Sequence, residues 1–302
     1  AWLSTLFVLA SSYNFFFRNS RELLSGIIIC LCAIILQKFS KKSIFLSQIA
    51  LCSSIVSQIL ILVGLYDIIR DPRIIMLFFC FIEIAMIVAF SNVLHRFMCT
   101  NAAVACFFYF AVGTNYSTYF MPNNATIIII LLGVAISWLW LNEPKWMASK
   151  KWQLSEFIGT KSEILRPVAY GLSTSFLYCL GYYLIPYIEF SSYIPLVATG
   201  CLGFMLIFME IKLFVENNIK ISSKIGILIL STSIVLIIIS AKVPGIVGSL
   251  LLLILSYRLK NKILIGITIL SMSYFIVYFY YSLKMTLLEK SFILMASGVL
   301  FL

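Results

Sequence analysis

Between residues 44 and 65 the chain passes twenty-two positions without one Asp, Glu, Lys or Arg, and comparable apolar runs recur along its whole length. A helix of about 20 residues rises 1.5 Å per residue and so crosses a hydrocarbon core of about 30 Å. In lipid each backbone N–H and C=O must be satisfied inside the segment, which favours helices over any open sheet. The predicted fold class is therefore all-α, a polytopic transmembrane helical bundle. Composition agrees where it matters: 62% of the residues are hydrophobic, 11% are charged and the mean hydropathy is +1.07, leaving too few polar residues to cover a water-facing surface.

About twelve spans are predicted, with ten or eleven open because four of the runs are short. In the first half they cover 2–17, 23–37, 44–65, 74–90, 102–113 and 125–141. In the second half they cover 167–187, 194–215, 225–241, 244–257, 263–281 and 291–302. The break at 142–166 divides the chain into an N-terminal group, 1–141, a central cytoplasmic loop, 142–166, and a C-terminal group, 167–302. No internal repeat relates the halves. No secretory signal is visible at 2–17, and the start at Ala1 and the end inside an apolar run suggest a domain cut from a longer chain.

The basic residues supply an orientation, because Lys and Arg collect in short cytoplasmic loops. With 142–166 inside, fifteen Lys and Arg fall inside and seven outside, and both ends of the chain are cytoplasmic. That clustering explains the formal charge of +11 without nucleic acid as a partner. The expected partner is the lipid bilayer, and the expected location a bacterial inner membrane. Prolines fall at or near span ends, and Trp138, Trp140, Tyr182 and Tyr183 read as anchors at the membrane surface.

Few residues offer chemistry. Glu83 stands out as an ionisable residue well inside a predicted span, where a carboxylate costs on the order of 2.5 to 3.5 kcal/mol. It is a candidate proton relay or cation site, or a packed acid bonded to a neighbouring helix. Gln48 and Gln58, nearly three turns apart, would share a polar helix face with Ser54 and Ser57, for helix contact or a substrate path. His95, the single histidine, is expected to be solvated beside Arg96 at a cytoplasmic end. The eight cysteines lack metal-site spacing, and no phosphate loop or nucleophile elbow appears, so no cofactor is expected.

A resemblance adds to this reading. The segment 280–291, Tyr-Tyr-Ser-Leu-Lys-Met-Thr-Leu-Leu-Glu-Lys-Ser, followed by Ala296-Ser297-Gly298, resembles the C-terminal signature of a bacterial family catalogued as domain of unknown function 4401. Ala1-Trp2-Leu3 and 45–65, with Gln48 and Gln58, fit the same pattern. The resemblance implies no activity, but it implies association with, or fusion to, other multi-pass membrane proteins, including one named for a GDYxxLxY signature. It also draws attention to Thr286, Glu289 and Lys290 in a predicted outer hairpin, where an ion pair would orient the turn. The first functional expectation is thus a component working with partner membrane proteins in the cell envelope. The alternatives are a transporter or lipid flippase with Glu83 in the path, and a membrane-embedded enzyme on lipid-linked substrates using Glu189, Arg70 or Arg73.

Overall fold

The structure is a computed structural model that describes residues 22–39, 43–113, 122–148, 161–184 and 193–282, with Ser291 and Met295. Among the described residues there are ten α-helices, one 3₁₀ turn and no strand. The helices are α1 (Glu22–Phe39), α2 (Ile44–Ile69), α3 (Pro72–Ala89), α4 (Val93–Val112), α5 (Pro122–Ala148) and α6 (Lys161–Leu180). After the 3₁₀ turn Gly181–Leu184 come α7 (Tyr193–Glu216), α8 (Lys224–Ile239), α9 (Pro244–Arg258) and α10 (Lys262–Ser282).

Seven helices, α1 to α5, α7 and α10, are long and apolar enough to cross a membrane; α8 and α9 are shorter apolar helices. Ten of the twelve predicted runs coincide with helices, while 2–17 and 291–302 lie outside the described residues apart from Ser291 and Met295. Several boundaries differ. The fifth run, predicted from 102, belongs to a helix that starts at Val93 and is capped by Asn92, whose side chain accepts from the backbone N–H of Leu94 and His95. That cap satisfies donors an unpaired helix start would leave open, so the chain turns helical well before its hydropathy rises. The stretch 142–166 is likewise helical at both ends, to Ala148 in α5 and from Lys161 in α6, so Pro144 and Pro167 lie inside helices.

In α8 polarity is inverted relative to a helix on a water-soluble protein. The buried residues of α8 are Gly226 and Ser233, while Ile225, Leu228, Val235, Ile238 and Ile239 are exposed. Buried hydroxyls recur at Ser54, Ser57, Ser173, Ser249, Ser256 and Thr268. Ser54 and Ser173 bond side chains of other helices, and the remaining four hydroxyls close on carbonyls of their own helix; large aliphatic groups facing outward with small or self-satisfied polar groups inside suit helices solvated by lipid. The chain is thus membrane-embedded, in contact with lipid.

The chain forms two compact units, Ala1–Cys179 and Leu180–Leu302. In the first, α1 lies along α2, α3 along α4, α2 against α3 and α4 against α5. Close approach in the first pair depends on glycine: a Cβ on Gly64 would stand 2.5 Å from the backbone nitrogen of Leu23. α6 joins through Trp140, whose indole N–H donates to Ser173 Oγ at 2.9 Å, and through Asn101 Oδ1, which accepts from Thr174 and Ser175 at 2.7 and 2.9 Å. Trp140, predicted as a surface anchor, is therefore buried and bonded, as are Tyr182 and Tyr183 in burial, whereas Trp138 is exposed. In the second unit α9 is the core helix, packed on α7 and α10, with α8 on α7.

Candidate functional site

Three helices of the first unit bring polar groups together in an otherwise apolar core. α3 contributes Glu83, 1% exposed and six residues, or about 9 Å, before the helix end. α2 contributes Gln58, whose amide N–H donates to Glu83 Oε2 at 3.4 Å and to Cys99 Sγ at 3.3 Å. α4 contributes Cys99 and, one turn earlier, His95, with Cys99 Sγ 3.4 Å from His95 Nδ1. His95 Nε2 lies 2.6 Å from Ser54 Oγ, back on α2. A continuous line runs Glu83, Gln58, Cys99, His95, Ser54, and the Phe90 ring stacks on the imidazole at a centroid distance of 4.1 Å.

His95 is 1% exposed, which overturns its predicted solvation. Its neighbour Arg96 is buried as well, at 0%, because the guanidinium is satisfied locally: Nε donates to the Ile87 carbonyl at 3.0 Å and Nη1 to the Glu163 carbonyl at 2.9 Å. Hydropathy equates a cation with exposure, but a planar guanidinium with several donors can instead cap free carbonyls. The end of α3 and the starts of α4 and α6 thereby meet at one end of the unit. At that end Arg166 also pairs with Glu143 at 2.8 Å.

The two glutamines separate. Ten residues span about 1,000° of helix, some 80° short of three full turns, so Gln48 is exposed while Gln58 turns into the core. Thr286, Glu289, Lys290 and Glu189 lie outside the described residues.

The sequence reading also passed over an acid. Glu210 in α7 is 3% exposed and lies inside the predicted run 194–215, so Glu83 is not the only such residue. It lies five residues from that run's end. Ser233 of α8 donates to its Oε1.

The profile of the family described as "Domain of unknown function (DUF4401)" matches residues 1–302, the whole chain. This chain is a DUF4401 protein. The C-terminal signature and the 45–65 stretch thus pointed to the right family. No curated protein and no solved structure matches the DUF4401 chain. Among its described residues no group of three His, Cys, Asp or Glu is placed to hold a metal ion.

Proposed function

We propose that this DUF4401 protein is a multi-pass protein of the bacterial inner membrane, with about twelve spans and both ends cytoplasmic, that moves a proton or proton-coupled solute through its first helix group. The observation that carries this reading is the line from buried Glu83 through partly buried Gln58 to buried Cys99 and His95. Glu83 and His95 are the groups of this line that can gain and lose a proton, while the Gln58 amide, which donates to both Glu83 and Cys99, orients them and carries no proton itself; ionisable groups at membrane depth commonly mark ion or proton paths. Glu83 is the group that loads and releases, His95 the relay toward the end rich in Lys and Arg, and Gln58 the positioning residue between them.

The test is proton flux in proteoliposomes under an imposed pH gradient, paired with complementation of a deletion strain. Glu83→Gln at normal expression is expected to abolish both, and Glu83→Asp to retain part of them. Wild-type behaviour of Glu83→Gln in both assays would reduce Glu83 to a helix-packing bond. Orientation is tested separately by reporter insertions at Ser117 and Ser155, expected on opposite sides of the membrane.

A second reading, a component working with partner membrane proteins, draws on the apolar outward faces of α8, which suit other helices as well as lipid. Purification in mild detergent with no co-purifying membrane protein would count against it.

A further inference from the structure

In the second unit α7 and α8 meet along a seam of small and polar residues. At one end Thr199 Oγ1 donates to the Ala241 carbonyl at 2.9 Å, and midway the hydrogen of Gly203 leaves room for the Ile237 side chain. At the other end Glu210 Oε1 accepts the Ser233 hydroxyl, and Glu210 Oε2 is buried with no hydrogen-bond partner among the described residues. Both ion pairs among the described residues involve other acids, Glu143 and Glu216.

The charged groups on the helices packed here are few. Lys212 and Glu216 share α7 with Glu210, but Lys212, two residues on, points about 160° away around the helix. Lys224 begins α8, nine residues and about 13 Å of helix rise from Ser233. Arg258 ends α9, where Nη2 and Nε grip the Glu216 carboxylate at 2.8 Å each. Among the described residues Glu210 therefore has one neutral donor for two oxygens and no charge partner. An ionised carboxylate so placed is costly in a low-dielectric interior, and the neutral acid, with a proton on the unpartnered oxygen, removes that cost.

We propose that Glu210 and Ser233 form a second intramembrane site, which binds an exchangeable proton and operates independently of Glu83. Glu210 carries the proton on Oε2; Ser233, by donating to Oε1, holds the carboxyl in one orientation and is a positioning residue.

The experiment is infrared difference spectroscopy of the full chain reconstituted in lipid and titrated from about pH 5 to pH 9. A protonated-carboxyl C=O band is expected that weakens as pH rises, is absent in Glu210→Gln and persists in Glu83→Gln. Ser233→Ala is expected to displace its midpoint by about half a unit to one unit, whereas Ser233→Thr, which keeps the hydroxyl, leaves it in place. Loss of the band in Glu83→Gln would overturn independence, whatever the outcome of the flux assay. Absence of any band that depends on Glu210, or a band unchanged by pH, would overturn the exchangeable proton itself. A midpoint moved by sodium ions at constant ionic strength would assign the oxygen to a metal cation instead.

Discussion

In the first unit a buried carboxyl meets an amide that also bonds a thiol, and through the thiol an imidazole; in the second, a carboxyl as deeply buried has a single hydroxyl. The amide ties three helices, α2, α3 and α4, whereas the hydroxyl ties two, α7 and α8. A networked acid is costly to remove because it strands its donors, while an under-bonded acid costs the fold something by being there. The same contrast appears in packing. Gly64 in the first unit faces backbone, and Gly203 in the second faces the branched end of Ile237.

The packing contrast gives the largest expected effect. Gly64→Val is expected to force α1 from α2 and cost about 3 kcal/mol or more, so that little folded protein accumulates. Gly203→Ala, which meets only a side chain 2.9 Å away, is expected to cost about 1 kcal/mol. Equal loss of monodisperse protein on size-exclusion chromatography would erase the distinction.

Next comes the guanidinium that closes one end of the first unit. Arg96→Ala leaves the Ile87 and Glu163 carbonyls short of a donor and is expected to cost about 2–4 kcal/mol, with Arg96→Lys a poor rescue. Thermal unfolding in detergent reads this directly, and a melting temperature unchanged from wild type would show that solvent replaces the guanidinium.

The two acids then oppose each other in sign. Glu83→Leu strands a donor of Gln58 and is expected to destabilise by about 1–2 kcal/mol; Glu210→Leu removes an under-bonded group and is expected to be neutral or stabilising by about 1 kcal/mol. Denaturation by graded sodium dodecyl sulfate compares them, and a large destabilisation by Glu210→Leu would mean that its free oxygen is bonded after all. The smallest effect belongs to the partly exposed fork of Arg258 on Glu216, where Arg258→Lys is expected to cost under about 1 kcal/mol in the same assay.

Much of the helix map was legible because span length and loop polarity are one-dimensional properties. A run of apolar residues must match the bilayer whatever packs beside it, and Pro72 marks a helix start by local chemistry, whereas the cap at Asn92 was missed because it precedes the rise in hydropathy. The candidate site was half legible. Glu83 announced itself as a charge amid aliphatic residues, and Gln58 as a polar neighbour on an apolar helix. His95 and Arg96 were misread as surface groups, since hydropathy records a residue's cost in lipid but not the carbonyls and hydroxyl that offset it. Glu210 escaped notice near the end of its run, and its Ser233 partner lies on another helix.

By itself, then, the sequence determined that the chain is helical, that its solvent is lipid and which family it belongs to, all consequences of residue order and hydropathy. Which polar side chains meet, and which buried oxygen is left without a donor, only the tertiary structure decided. Those contacts depend on the rotation of one helix against another to within a fraction of a turn, and an 80° error was enough to put Gln48 outside while Gln58 reached the acid.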